Sequence, residues 1–273
     1  MALTIYDMHT HTDCRHDSRQ PIDELCAAEI AAGMTGVAVT DHSDGPYSHQ
    51  NGDFARLEQS IRNCAAAAQR YAGRLEVLCG VEIGEELWSG ENARIVHELG
   101  EYDVILTSIH GQMEDGRCVY LGDRDLPGWS TARLEAYLQR YLYDLAECAQ
   151  LADYDILTHL DIPLRYINGK AGHALQLEKF ADLVDEVLRI VIQRDKTLEI
   201  NTSGMAAGWR CMPQTDVLRR YYALGGRRVS VGSDAHASAA AAVGFVSVVE
   251  QLRAVGFTGQ TIYRRRQPVE IPF

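Results

Sequence analysis

The chain contains no CxxC pair, no glycine-rich linker and no low-complexity tract. No apolar stretch runs unbroken by charge or glycine for the roughly eighteen residues a membrane span needs. The seven cysteines are scattered at positions 14, 26, 64, 79, 118, 148 and 211. Their odd number and spacing argue against a disulfide framework and for a reducing cytoplasm. No basic segment followed by an apolar one opens the sequence, so no signal peptide is expected. Positive charge is scarce as well: 26 Lys and Arg face 38 Asp and Glu, for a formal charge of −12. Such a surface repels nucleic acid and anionic membrane, and neither is expected as a partner. A small anionic substrate would need local positive charge, from arginines or from bound metal.

What is present is an ordinary globular composition, 46% apolar and 23% charged over 273 residues, long enough for one large core. Short β-branched runs predict strands at 3–8, 36–40, 75–83, 103–109, 155–158, 197–201 and 228–232, with another beginning near 260. Amphipathic segments between them predict helices at about 21–33, 53–72, 91–100, 130–152, 174–195, 213–225 and 238–254. Gly33, Gly100, Gly225 and Gly256 stand where those helices should stop. Strand–helix alternation repeated in this way predicts an α/β fold with a parallel sheet. One long irregular piece, 111–129, reads as a functional loop rather than a boundary, and residues 1–273 as a single domain.

The strand runs end in potential ligands: His9 and His11, His42, Glu82, His110, His159, Asn201, then Asp234 with His236. An open sheet gathers its ligand between two or three strands, whereas a barrel brings every C-terminal strand end to one rim. Seven contributing strands predict the barrel. His9 and His11 are two apart, so on a strand they share a face, and Asp234 and His236 repeat the spacing. Mixed imidazole and carboxylate donors suit Zn, Mn or Fe rather than Ca or Mg. Nine or so donors exceed what one ion takes, so more than one metal is expected. Metals so clustered suggest hydrolysis, because bound metal brings the pKa of water from 15.7 to about 7 and generates hydroxide near neutral pH.

The ordered set DMHTHTDCRHDS, TDHSD, GVEIGEE, SIHG, THLDIPLRY, LEINTSG and VGSDAHA resembles the polymerase-and-histidinol-phosphatase (PHP) family of metallophosphoesterases. Within it, the stand-alone histidinol-phosphate phosphatases are most similar. The resemblance runs from residue 5 to about 245. It implies a distorted (β/α)7 TIM-like barrel with three divalent metal ions at the C-terminal rim. His9, His11, Glu82 and Asp234 would hold the first ion; Glu82 would bridge to a second, completed by His110 and His159; Asp17, His42 and His236 would hold the third. Arg15 stands where the family often has serine, and His16 precedes Asp17, which makes His16 a competitor for the third site. Arg165 matches the arginine that family phosphatases aim at phosphate. Asn201 and Ser203 are candidate substrate contacts or ligand-orienting residues, and Arg210 is either a second anion contact or exposed.

The activity so implied is phosphomonoester hydrolysis, with L-histidinol phosphate as substrate and L-histidinol and phosphate as products, a step of histidine biosynthesis. Another small phosphorylated metabolite or nucleotide is the alternative substrate. A C–N hydrolase of the amidohydrolase type shares the strand-borne HxH and the late aspartate, but Glu82 and the Asp234/His236 pair suit three metals better. A non-enzymatic relative would lack ligands, and here every position is filled. Several other features take a plain reading. Cys14 is a small buried thiol, His97 and His173 are surface residues, His49 sits in a loop, and the basic YRRRQ at 263–267 is a solvated tail. Asp161 is an acid near the rim to which no proton-transfer role is given.

Overall fold

A computed structural model describes residues 4–273, so residue 3, the first of the earliest expected strand, lies outside the described residues. Seven parallel strands form the main sheet in sequence order. They are β1 (Tyr6–Thr10), β2 (Gly36–Val39), β3 (Glu76–Gly84), β4 (Val104–Ser108), β5 (Ile156–Leu157), β6 (Thr197–Asn201) and β7 (Val229–Gly232). The ends meet: Asp234 N donates to His9 O at 2.7 Å and His11 N to Ala235 O at 3.0 Å, closing β7 onto β1. The α/β barrel expected from the strand ends is therefore the one observed. A short strand, His42–Asp44, adds beside β3 beyond the end of β2.

Helices α1 (Ile22–Ala31), α2 (Asp53–Arg70), α3 (Glu91–Glu98), α4 (Thr131–Leu151), α5 (Ala181–Gln193), α6 (Thr215–Ala223) and α7 (Phe245–Val255) cover the outside. Their apolar faces do the covering. Leu134, Leu138, Leu142 and Leu145 of α4 recur at helical spacing and are all buried, as are Val184, Val187, Leu188 and Val191 of α5. Ser130 caps α4 by accepting from Arg133 N. Burying a leucine of this kind contributes about 1.5–3 kcal/mol, which is how these stripes fix each helix to the sheet.

Two segments differ from expectation. The piece 111–129 is not irregular throughout: Gly111–Glu114 and Arg117–Tyr120 form an antiparallel hairpin. Its turn residues Asp115 and Gly116 have φ of 48° and 76°, the two positive angles of a type I′ turn, for which Asp-Gly is a favoured pair. The basic tail is solvated only in part: Arg265 and Gln267 are exposed, but Gly259–Arg264 and Gln267–Pro272 make a second hairpin under the N-terminal ends of the strands. There Ile262 and Tyr263 pack with Tyr6, Met8, Leu78, Leu106 and Ile156. Arg264 binds Glu76 at 2.6 Å and Arg266 binds Asp155 at 3.0 Å, so both arginines are tied to strand starts. Among the described residues, Ser238–Val255 is apolar enough by composition to cross a membrane. In the fold Gly244, at φ 83°, breaks that stretch, and α7 buries Phe245, Val248, Val249 and Leu252.

Candidate metal centre

The register between β1 and β2 shifts between Asp7 and Thr10, an irregularity of the sort that re-aims a side chain beside a site. His9 and His11 there are fully buried, with their Nε2 atoms 3.1 Å apart. Gly232, at the end of β7, makes room for His9. A Cβ on it would stand 2.5 Å from His9 Cβ and 2.6 Å from Glu199 Oε1, so only glycine fits. Three residues carrying the site, His159, Asp234 and the neighbouring Glu85, have φ of 22°, 53° and 51°. Positive φ in a residue other than glycine is strained, and strain of this kind collects at functional sites.

Glu82 organises the donors. Its Oε2 lies 3.1 Å from His9 Nε2 and 3.5 Å from His11 Nε2. The opposite oxygen, Oε1, lies 3.1 Å from His159 Nε2 and 3.3 Å from His110 Nε2. Asp234 Oδ1 joins the first group at 3.1 Å from His11 Nε2. A third group combines His11, His42 and His236. Asp17 Oδ2 reaches it, 3.2 Å from His42 Nε2 and 3.6 Å from His236 Nε2. The nine residues singled out in the sequence thus converge. His16 also lines the cavity, but Asp17 is the one of the pair placed between His42 and His236.

The donors fit bound cations. Two imidazole nitrogens facing each other at 3.1 Å, with a carboxylate oxygen as close, share one point in space where a positive ion would satisfy all three. Burial and the neighbouring His236 push His11 down to about 3, so its ring is neutral, as a ligand ring must be. Burial works against protonating His42, but Asp44 and Asp17 outweigh it and raise its pKa to about 10. His110 is likewise carried to about 9 by Glu82, Glu85 and Asp44 against burial. Burial also opposes ionising Glu82 and Asp234, yet the imidazoles hold both well below the usual carboxylate range. In the metal-free chain, protons on imidazole therefore supply part of the positive charge that the carboxylates demand.

The rings are held from behind by residues that sequence reasoning did not single out. His9 Nδ1 donates to Glu199 Oε1 at 2.6 Å, and Glu199 Oε2 accepts from His159 N at 2.6 Å. His42 Nδ1 donates to Asp44 Oδ1 at 2.6 Å. Such carboxylates fix the tautomer and leave Nε2 free for the site. Two signals were available: an acidic residue, Glu199, inside the buried run TLEIN, and a second aspartate in TDHSD.

The cavity over the donors measures about 350 Å³ and is lined also by Arg165, Tyr120, Tyr166 and Asp123. Arg165 Nη1 donates to Ser203 Oγ at 2.6 Å, and Ser203 Oγ to Asn201 Oδ1 at 2.6 Å. Asn201 is fully buried; the two residues hold Arg165, and Asn201 Nδ2 reaches Asp234 Oδ2 at 3.4 Å. Arg210 is half-buried rather than exposed, and its Nη2 donates to buried Asp161 at 2.8 Å. Cys14 is buried as expected. His97 and His173 are half-buried, not free at the surface: His97 pairs with Glu86 at 3.2 Å and His173 Nε2 meets Leu126 O at 3.0 Å.

A seven-stranded parallel barrel whose C-terminal rim gathers imidazoles around a shared carboxylate defines a barrel protein with a site for divalent metal. The PHP domain matches residues 7–203, and the chain belongs to that family. It is 27% identical over 251 residues to a probable histidinol-phosphatase of Thermotoga maritima, covering 92% of each chain. To a probable histidinol-phosphatase of Deinococcus radiodurans it is 29% identical, covering 96% of this chain and 98% of that one. Its fold matches the histidinol phosphate phosphatase of Lactococcus lactis, solved with zinc, L-histidinol and phosphate. The TM-score is 0.80 at 18% identity, over 98% of this chain and 99% of that one.

Proposed function

We propose that the chain is a single-domain, metal-dependent phosphomonoesterase that hydrolyses L-histidinol phosphate to L-histidinol and phosphate. The observation that carries this is the division of Glu82, one oxygen among His9, His11 and Asp234 and the other between His110 and His159, beside a third cluster of His11, His42, His236 and Asp17. That arrangement supports three divalent ions, Zn, Mn or Fe, held respectively by His9, His11, Glu82 and Asp234; by Glu82, His110 and His159; and by Asp17, His42 and His236. When bound, such ions supply Lewis acidity to phosphoryl oxygens and activate water. Relatives named as histidinol-phosphatases over nearly the full chain support the substrate.

The residues of this chain supply the rest. Arg165 brings a fixed guanidinium to the same cavity, where it opposes charge gathering on the phosphoryl oxygens. Its Nε is buried and has no hydrogen-bond partner among the described residues. Tyr120, Tyr166 and Asp123 add aromatic faces and a carboxylate at the mouth, which suit an imidazole-bearing, cationic leaving group. All seven cysteines are free thiols, in keeping with a cytoplasmic enzyme.

The deciding experiment measures phosphate release from L-histidinol phosphate beside a panel of phosphomonoesters, with metal counted in the same chelator-free preparation. Strong preference for L-histidinol phosphate with close to three metals per chain is expected. Preference for another ester keeps the centre and removes the substrate; inactivity of fully loaded protein against the panel removes the reaction.

A further inference from the structure

Behind the third cluster lies a buried ion pair with no place in the ligand set. Arg15 is 3% exposed, and its Nη2 donates to Asp44 Oδ2 at 2.8 Å while Nη1 donates to Asp53 Oδ1 at 3.1 Å. The other oxygen of Asp44 faces two rings at once: His42 Nδ1 donates to Oδ1 at 2.6 Å, and His110 Nδ1 stands 3.7 Å from the same atom. The far nitrogens of those rings point to different places. His42 Nε2 is 3.2 Å from Asp17 Oδ2, in the third cluster, and His110 Nε2 is 3.3 Å from Glu82 Oε1, in the second.

Backbone geometry builds this arrangement on purpose-fitted ground. The strand His42–Asp44 pairs with β3 so that His42 lies opposite Glu82 and Asp44 opposite Gly84. A Cβ on Gly84 would stand 2.9 Å from Asp44 Oδ1 and 3.3 Å from His110 Nδ1, so the glycine leaves the space in which carboxylate and ring approach. Glu85 Oε1 accepts from Gly111 N at 2.9 Å and also from His110 N, pinning the backbone that carries the second ring.

We propose that Asp44, clamped by Arg15, is a positioning residue that couples two of the three metal stations: one carboxylate oxygen fixes His42 by a hydrogen bond of 2.6 Å and, standing 3.7 Å from His110 Nδ1, favours electrostatically the ring orientation that keeps His110 Nε2 toward the cavity. The proposal rests on the metal-centre reading above. Arg15 supplies a planar fork that a serine could not, holding Asp44 on one side while its Nε lies 3.8 Å from Asp17 Oδ1 on the other. At the first station, which shares only Glu82 with the second, Glu199 rather than this pair orients His9. Losing a carboxylate that orients a metal-bound histidine typically weakens metal binding ~10–100-fold. Removing Asp44 therefore weakens two stations in parallel and spares one.

The test is a Zn²⁺ titration of metal-free protein against a competing chelator, with Co²⁺ absorption as the spectroscopic readout, for wild type, Asp44→Asn, Arg15→Ser, Arg15→Lys and the Asp44→Asn/Arg15→Ser double variant. Wild type is expected to bind three ions. Asp44→Asn should keep one tight ion and bind the other two ~10–100-fold more weakly. Arg15→Ser should shift the same two ions by less, Arg15→Lys by less again, and the double variant should be no worse than Asp44→Asn alone. Unchanged binding of all three ions by Asp44→Asn, or equal loss of all three, overturns the proposal. If Asp44→Asn does not fold, Arg15→Ser decides by the same criterion. Wild type that binds three ions yet leaves L-histidinol phosphate intact defeats the substrate reading alone; wild type that binds fewer than three defeats the metal-centre reading, and this proposal with it.

Discussion

Arg165 and Ser203 sit 38 residues apart in the chain, yet the guanidinium Nη1 donates to the serine hydroxyl at 2.6 Å. The hydroxyl donates onward to Asn201, so the arginine is braced against the end of β6. This ordering separates two variants. Arg165→Ala should lower kcat/KM for the phosphoester by about 100–1,000-fold, in the range seen when one preorganised charge-stabilising donor is removed. Ser203→Ala should cost roughly 10-fold, since the guanidinium stays but loses its brace. Steady-state kinetics on both variants checks this, and equal losses would show that Ser203 does more than position Arg165.

Glu82→Gln keeps the size of the side chain and removes the charge shared by two clusters. Metal content should fall and turnover should be lost, and His9→Ala and His236→Ala should each abolish turnover as well. Metal analysis and phosphate release on the same samples test the point. Near-wild-type activity in the His9 variant would sink the ligand assignment.

The pH dependence of metal loading follows from the raised imidazoles. His42 and His110, at about 10 and 9 in the metal-free chain, are protonated at neutral pH and must lose those protons to bind an ion. Affinity at their stations should therefore rise with pH between 7 and 9, by roughly tenfold per unit for each proton displaced. The metal-free fold has the opposite slope. A raised histidine pKa lends stability that is complete below the unfolded value and disappears as pH climbs through 9 and 10. Chelator competition and apo-protein melting at several pH values measure the two slopes.

A further titration lies outside the donor cluster. Glu29 of α1 is fully buried against Asp7, and burial together with that carboxylate raises its pKa. The folded state thus holds a proton that the unfolded chain releases above the ordinary glutamate value, and stability drains as pH rises past it. Glu29→Gln carries its hydrogen without titrating. It should stabilise the protein by about 1–3 kcal/mol near pH 7 and by nearly nothing at pH 4, measured by denaturant melts.

Most of the barrel was legible because its strands are β-branched runs spaced by amphipathic helices, and the rim because histidines and acids follow those runs. The short β5, Ile156–Leu157, marks one limit. The run suggested strand through Thr158, but the chain turns at His159, whose φ of 22° no periodicity announces. The hairpin turn at Asp115–Gly116 carried its dipeptide signal, yet polar surroundings hid the strands beside it. Glu199, Asp44 and Arg15 were harder to read for another reason. Glu199 acts on His9 across 190 positions and Arg15 on Asp44 across 29, pairings that exist only once the barrel closes, while Asp44, two residues from His42, left only the second aspartate of TDHSD as its signal.

The hairpin beneath the barrel ties the two ends of the described chain into one cooperative unit. Tyr6 and Met8 share their apolar packing with Ile262 and Tyr263, and Gln260 Nε2 donates to Tyr6 O across 254 residues. The strand that carries His9 therefore gains part of its underside from a hairpin that follows every donor of the centre in the chain. Until that hairpin is made, those apolar side chains lack part of their cover, and the first histidines of the centre stand on an unfinished support. Assembly of the metal site is in this way deferred until after its last donor, His236, has been made.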